Sequence, residues 1–246
     1  MSHFKIVALD MDGTLLDDEL NVSRANREAI AAAEQLGVKV VLSTGRNIGS
    51  VREYAASLSL SSYFVTANGA EIWEGPNNVL ARHRIPTDII AWLVELAHQH
   101  DTRYWGITTD GPRRGAHFPS DLHAEEWLKF GYSSSDLRKL AAIREVLRTS
   151  GQLEVTNSAV TNIEVNAKGV SKASALQTVC RELNTTMDRV VAVGDSLNDM
   201  AMIREAGCGV AMGNAQQVVK EAADWVTETN TSDGVAAAIE RFVLSK

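Results

Sequence analysis

The chain has 246 residues, 45% of them hydrophobic, which is enough apolar material for one large domain or two small ones. Its formal net charge of -7 makes the surface acidic, so nucleic acid is not an expected partner. No apolar run reaches the roughly 18 residues of a membrane span, and the N-terminus has no signal-peptide pattern. Cys180 and Cys208 are expected to be buried free thiols. We therefore expect a cytoplasmic protein.

The first part of the chain alternates predicted strands with predicted helices. The predicted strands are residues 4–9, 38–42 and 63–67, and the predicted helices are residues 23–36 and 48–58. Ser23 is the expected N-cap of the first helix, and Gly37 is expected to close it. Strands this apolar, separated by helices, favour a parallel sheet that is covered on both faces.

The middle of the chain changes character and predicts antiparallel hairpins. Asn68-Gly69 is a hairpin turn signal between residues 63–67 and a short strand at 71–73. The further expected elements are a strand at 79–85, a helix at 87–100, a hairpin of 103–109 with 114–118, and two short segments within 153–165. Residues 137–147 fit either one helix or a strand with a short helix. Together these patterns predict an α+β unit.

The α/β alternation returns near the C-terminus. The expected helices are 171–183, 197–206, 216–223 and 234–244, and the expected strands are 190–193, 208–212 and 225–227. The predicted fold class is therefore α/β, with a Rossmann-like parallel-sheet core and an inserted, smaller α+β cap domain. We expect residues 1–83 and 166–246 to form the core and residues 84–165 to form the cap.

Acidic residues follow two of the predicted parallel strands. Asp10 and Asp12 come after the first strand, whereas Asp195 and Asp199 come after the strand at 190–193. Ligands bind beyond the carboxyl ends of strands in an open parallel sheet, so these carboxylates are expected to meet. Crowded carboxylates repel one another, and a hard divalent cation such as Mg²⁺ relieves that repulsion.

Neutral and cationic groups near the same edge are suited to hold a phosphate. Thr44 and the Gly45 backbone follow the second strand, and Lys168 and Lys172 stand before or at the start of a helix. An aspartate in such a site can act as a nucleophile that forms an aspartyl phosphate. A second aspartate, two residues away, can act as general acid and then as general base.

Four motifs together resemble those of the haloacid dehalogenase superfamily: "DMDGT", "STGR", "KGVSK" and "GDSLNDM". The longer stretches "TANGAEI" and "NDMAMIREAGCGVAMGNA" look like the Cof-type branch, whose members are Mg²⁺-dependent phosphatases with a type IIB cap. The resemblance covers about residues 1–83 and 166–246, while the cap is matched only by its position and coarse pattern.

The resemblance implies a role for each matched residue. Asp10 is the expected nucleophile, and Asp12 the general acid and base. The expected phosphate-binding residues are Thr44, Gly45, Lys172 and Asn198. The expected metal ligands are the Asp10 and Asp195 carboxylates and the Asp12 main-chain carbonyl, with Asp199 supporting them. Lys172 is preferred to Lys168 because it fills the second lysine position of "KGVSK".

The expected function is Mg²⁺-dependent hydrolysis of small phosphorylated metabolites, sugar phosphates or similar compounds, by a monomer or weak homo-oligomer. A phosphomutase with the same site and a phosphoacceptor signalling module stay open as alternatives. The substrate-contact candidates in the cap are Trp105, Arg113, Arg114, His117, Trp127 and Tyr132. Packing roles are expected for most of them, and Arg113-Arg114 is the expected loop to touch an anionic substrate.

Overall fold

Two β-sheets organise the chain, and the computed structural model describes residues 3–245. The strands are β1 (Ile6–Leu9), β2 (Lys39–Ser43), β3 (Tyr63–Thr66), β4 (Glu71–Glu74), β5 (Asn78–Arg82), β6 (Arg103–Thr108), β7 (Gly111–Arg114), β8 (Trp127–Ser133), β9 (Leu153–Thr156), β10 (Asn162–Ala167), β11 (Val190–Gly194), β12 (Cys208–Ala211) and β13 (Trp225–Val226). The helices are α1 (Arg24–Gln35), α2 (Ile48–Ser57), α3 (Thr87–Gln99), α4 (Leu137–Ser150), α5 (Lys172–Glu182), α6 (Met200–Glu205), α7 (Gln217–Ala222) and α8 (Gly234–Ile239).

The larger sheet has eight strands in the order β13-β12-β11-β1-β2-β3-β4-β5. All neighbours from β13 to β3 are parallel, whereas β4 and β5 join as antiparallel strands. The central strand β1 is apolar and buried along its whole length because helices cover both faces of the sheet. The carboxyl ends of β1, β2 and β11 are therefore neighbours at one edge.

The smaller sheet has the order β7-β6-β8-β10-β9, and all its strand pairs are antiparallel. Helices α3 and α4 pack on one face through a shared apolar cluster that includes Ile90, Leu93 and Ile143. We call strands β6–β10 with α3 and α4 the cap. Its other face carries Ile107 and Leu128, which pack against residues of the larger sheet's segments.

The local signals explain where several helices begin. The side chain of Ser23 accepts a hydrogen bond from the Asn26 N–H, so Ser23 caps α1 as predicted. Ser171 caps α5 in a reciprocal capping box with Ser174. Within residues 3–245, no helix is both long and apolar enough to cross a lipid bilayer.

The predicted fold class is confirmed, but parts of the cap differ from the sequence prediction. Strand β8 was not predicted, although it is the centre of the cap sheet. The predicted strand at 114–118 is wrong: the partner of β6 is Gly111–Arg114, and a 3₁₀ turn follows it. Residues 137–147 lie in one helix, Leu137–Ser150.

The expected boundary between residues 165 and 166 falls inside β10, which runs from Asn162 to Ala167. Residues 1, 2 and 246 of the predicted core segments lie outside the described residues.

Candidate active site

Asp10 lies at the centre of the candidate site. It directly follows β1, its N–H donates to the Val193 carbonyl at 3.0 Å, and the residue is 5% exposed. Lys172, the first residue of α5, is fully buried and donates to Asp10 Oδ1 at 2.5 Å and to Asp199 Oδ1 at 2.6 Å. One ammonium group therefore bridges two carboxylates from distant parts of the sequence. Lys168, the alternative lysine, is exposed.

Asp195 follows β11 and faces the same space. Its carboxylate accepts hydrogen bonds from the Thr14 hydroxyl at 3.2 Å and from the Ser196 hydroxyl at 2.8 Å. Carboxylate oxygens of Asp10, Asp195 and Asp199 all lie within 4.8 Å of one another. This all-oxygen set fits the preference of a hard divalent cation such as Mg²⁺.

The three carboxylates are not equally available to a cation. Asp199 Oδ1 is bound to Lys172, and its Oδ2 accepts the N–H groups of Asp195 and Ser196, each at 3.0 Å. Both oxygens of Asp199 are thus already engaged in holding the loop and the lysine. Asp10 and Asp195 are better placed to supply ligands.

Three carboxylates around one ammonium leave excess negative charge. Burial raises the pKa of Asp10 well above its usual range, and the charges of Asp199 and Asp195 raise it further although Lys172 opposes them. Burial, together with Asp199, raises the pKa of Asp195 to about 6. Burial alone lowers the pKa of Lys172, but Asp10 and Asp199 hold it above its ordinary value. A bound cation would counter the part of these shifts that comes from the neighbouring carboxylates.

Asp12 points away from this cluster. Gly13 has a φ of +77°, and a Cβ there would lie 2.8 Å from Asp195 Oδ2, so the turn after Asp12 requires glycine. The Asp12 carboxylate is half exposed and accepts two hydrogen bonds from the Arg46 guanidinium, at 2.8 and 2.5 Å. Arg46 belongs to the motif "STGR", but the sequence predicted no role for it.

The predicted phosphate-binding residues lie around the loop after β2. Thr44 is fully buried, its N–H donates to Val65, and its hydroxyl accepts the Arg46 N–H at 3.2 Å. A Cβ at Gly45 would lie 2.7 Å from Lys129 Nζ, so a larger residue would displace the lysine. Asn198 donates to Asn68 Oδ1 at 3.3 Å, while Asn198 Oδ1 is buried without a hydrogen-bond partner in the described part of the chain.

The cap contributes a buried ion pair that sequence reasoning missed. Lys129 on β8 and Glu164 on β10 lie 2.8 Å apart, and the Lys129 ammonium also donates to the Gly45 carbonyl at 3.1 Å. Asn68 donates to Glu164 Oε2 at 2.7 Å and thus joins the two sheets. Burial lowers the pKa of Lys129, and the attraction of Glu164 offsets part of that shift. The available signal was a lysine flanked by apolar residues in "WLKFGY".

Most cap candidates proposed from the sequence do not face the site. Trp127 and Tyr132 are buried in the helix-facing cluster and donate to the carbonyls of Leu122 and Leu93. Arg113 forms two hydrogen bonds with Glu125, so its charge is already neutralised. The two remaining polar candidates, His117 and Arg114, are exposed.

The family profile of the haloacid dehalogenase-like hydrolases matches residues 7–112 and 113–239. The chain belongs to this family. A 5-amino-6-(5-phospho-D-ribitylamino)uracil phosphatase of Bacillus subtilis, YcsE, is 52% identical over 240 residues, covering 98% of this chain and 96% of the relative. A phosphoglycolate phosphatase of Methanobrevibacter smithii is 30% identical over 243 residues, covering 97% and 98% of the two chains.

Solved structures agree with this assignment. A haloacid dehalogenase-like hydrolase from B. subtilis superposes with a TM-score of 0.89 at 27% identity, over 97% of this chain and 100% of that one. The resemblance to a Cof-type phosphatase is thereby confirmed, and the protein is a phosphoric monoester hydrolase. The individual site residues stay predictions, which the geometry above supports.

Proposed function

We propose that the protein hydrolyses small phosphorylated metabolites, sugar phosphates or similar compounds, in a Mg²⁺-dependent reaction through an aspartyl phosphate on Asp10. The observation that carries this proposal is the Asp10 carboxylate itself. It is buried at the end of β1, held by Lys172 at 2.5 Å and placed beside Asp195. A fixed carboxylate next to a cationic side chain is suited to attack an electrophilic phosphorus.

In the first step, an Asp10 carboxylate oxygen attacks phosphorus, and the bond between phosphorus and the ester oxygen breaks. Asp12 donates its proton to the departing ester oxygen. In the second step, Asp12 takes a proton from water, the water oxygen attacks phosphorus, and the bond to Asp10 breaks to release phosphate. In the structure, two hydrogen bonds from the Arg46 guanidinium fix the orientation of the Asp12 carboxylate.

Four residues are proposed to hold the transferring phosphoryl group: Thr44, the Gly45 backbone, Lys172 and Asn198. The side chains of Asp10 and Asp195 and the Asp12 carbonyl would hold Mg²⁺, with Asp199 fixing Lys172 and the loop after β11. The cation would neutralise phosphate charge as the bond to phosphorus changes.

The first candidate substrate is 5-amino-6-(5-phospho-D-ribitylamino)uracil. Its support is the named activity of the relative that shares 52% identity over nearly the whole chain. A relative at 30% identity is named for phosphoglycolate, so the shared fold alone does not select this substrate. The proposed substrates of the site are therefore small phosphorylated metabolites in general. The uracil compound is the most specific candidate among them.

The test is phosphate release from a panel of phosphorylated metabolites, with Mg²⁺ and with EDTA. Wild-type protein should release phosphate only with Mg²⁺, and Asp10→Asn should lose at least about a thousandfold in kcat. The matched control is Asp88→Asn, which neutralises an exposed carboxylate on the outer cap helix α3 and should keep wild-type rates. Wild-type turnover in Asp10→Asn, or undiminished turnover in EDTA, would refute the mechanism. An isomeric product without free phosphate would identify a phosphomutase instead.

We propose that the core and cap divide near residue 84 and just after β10, close to the expected boundary at residue 166, where the chain passes between the sheets. We propose a cytoplasmic location, because the free cysteines Cys180 and Cys208 suit a reducing compartment. We also propose a monomer or weak homo-oligomer.

A further inference from the structure

The cap face that is turned toward the larger sheet carries a flat aromatic ring. On β6, Trp105 pairs in register with Gly131 of β8, and both side-chain positions face the same way as Lys129 and Glu164. A Cβ at Gly131 would lie 2.4 Å from the Trp105 ring, so the indole rests directly on the backbone of β8. Glycine at this position leaves room for the ring against the sheet.

The ring lies close to the loop that is proposed to bind phosphate. Lys129 Nζ is 5.1 Å from the Trp105 ring centre and 3.1 Å from the Gly45 carbonyl oxygen. Laid end to end, these distances place the ring centre no more than about 8 Å from the Gly45 oxygen. A five-carbon chain can bridge a gap of this size. Such a chain separates the phosphate from the ring in a phosphoribitylamino compound.

Space for a ligand lies beside the ring. A cavity of about 710 Å³ is lined by Trp105, Ile107, Pro112, Arg114 and Ser133, among others. This volume lies within the range of about 300–1,000 Å³ that is typical of small-molecule sites. Trp105 is only partly buried, so part of its surface remains available to a ligand.

Arg114 supplies a polar group at the same place. It is paired in register with Trp105 across β6 and β7, and it lines the same cavity. Its side chain is exposed and forms no hydrogen bond or ion pair with another residue between 3 and 245. The neighbouring Arg113, by contrast, is tied to Glu125. An unpaired guanidinium beside an aromatic ring suits a planar ligand that carries carbonyl oxygens.

We propose that Trp105 is a specificity-determining residue that stacks on the planar ring of the leaving group, with Arg114 contacting the ring's carbonyl oxygens. The ligand class is a uracil-like heterocycle joined to the scissile phosphate by a sugar-alcohol chain. This inference rests on the proposed function, because it assigns the non-reacting part of that substrate. Ring binding far from phosphorus lowers KM and discriminates between substrates without changing the chemical step.

The experiment compares two substrates that share the five-carbon phosphorylated chain, of which only the first carries the ring: 5-amino-6-(5-phospho-D-ribitylamino)uracil and ribitol 5-phosphate. The measured quantity is the ratio of their kcat/KM values. Trp105→Leu should lower this ratio by about tenfold, mainly through KM, which corresponds to the loss of one stacking contact. Trp105→Phe retains a ring and should restore most of the ratio. Trp105→Met serves in place of Trp105→Leu if the latter does not fold.

The matched control is Trp225→Leu, because Trp225 packs edge to face against Phe242 at the far edge of the larger sheet. It should leave the ratio at the wild-type value. Equal losses on both substrates in Trp105→Leu would show a structural role and overturn the proposal, as would an unchanged ratio.

A binding measurement separates this inference from the proposed catalysis. The dephosphorylated ring compound, 5-amino-6-(D-ribitylamino)uracil, is titrated calorimetrically into the wild type and into Trp105→Leu. We expect a Kd at least about tenfold weaker in the variant. Equal affinities would overturn the ring site even if phosphate is released. A weaker Kd in the variant, with no phosphate release by the wild type from either ester, would support the ring site and refute the proposed function.

Discussion

Replacing Asp195 with asparagine should stabilise the protein when no divalent cation is present. Asp195 has an ordinary pKa of 3.8, which rises to about 6 through burial and the nearby charge of Asp199. The folded protein therefore holds this proton more tightly than the unfolded chain does. The resulting cost to stability is small below the ordinary pKa, grows as pH rises and is complete above about 6.

The size of the effect follows from the shift. About two pKa units correspond to about 3 kcal/mol, which is an upper limit because part of the carboxylate is solvated. The amide keeps the shape of the side chain but accepts less strongly from the hydroxyls of Thr14 and Ser196. We therefore expect Asp195→Asn to gain about 1–2 kcal/mol at about pH 7.5 in EDTA, and well under half of that at about pH 4.5.

The assay is urea or thermal unfolding of wild type and variant at both pH values, in EDTA and then in Mg²⁺. In EDTA, the gain corresponds to about 2–4 °C in Tm per kcal/mol for a chain of this size. In Mg²⁺, the order should reverse, because the wild type gains the free energy of cation binding and the variant loses a ligand. Glu53→Gln, on the exposed face of α2, is the control, and it should leave the stability unchanged both in EDTA and in Mg²⁺. An Asp195→Asn variant that is less stable than wild type in EDTA at about pH 7.5 would refute the electrostatic reasoning.

Two further substitutions test the packing around the site. Lys172→Met should destabilise the fold by about 3–5 kcal/mol in urea unfolding, since it leaves two buried carboxylates without their shared cation; a change below about 1 kcal/mol would contradict this account. Gly69→Ala should cost at least about 2 kcal/mol, because φ is +101° and the new Cβ would lie 2.2 Å from the Ser171 carbonyl oxygen. Gly37→Ala is its control, with φ of +77° but open space around the Cβ, so equal losses in both variants would rule out the clash.

The core site was predictable because its residues follow strongly patterned elements. A buried run such as β1 identifies a central parallel strand, and the edge where such strands end then places Asp10 and Asp195 together. Lys172 could be selected over Lys168 only through the motif resemblance. Spacing alone does not distinguish a fully buried lysine from an exposed one four residues earlier.

The cap was predicted less well, for two physical reasons. The pattern of β8 is interrupted by Lys129 and Gly131, and lysine is normally a surface residue, so the strand did not stand out. The predicted hairpin of 103–109 with 114–118 left Pro112 between its strands. Pro112 instead lies in β7, an edge strand where a missing N–H leaves no ladder bond unmade. Because of these two errors, the sequence did not predict the cap face on which Lys129 and Trp105 lie together.

The ion pair between Lys129 and Glu164 has a consequence for motion of the cap. Both residues belong to the cap sheet, so a cap that swings away from the core removes one positive and one negative charge together. A single lysine on this face would be pulled toward the carboxylates of the core, and its departure would depend strongly on ionic strength. The pair itself therefore adds almost no net charge to the cap face that leaves the core. Its contribution to the rate at which the cap opens should change little with salt, whereas the attraction of an anionic substrate should weaken.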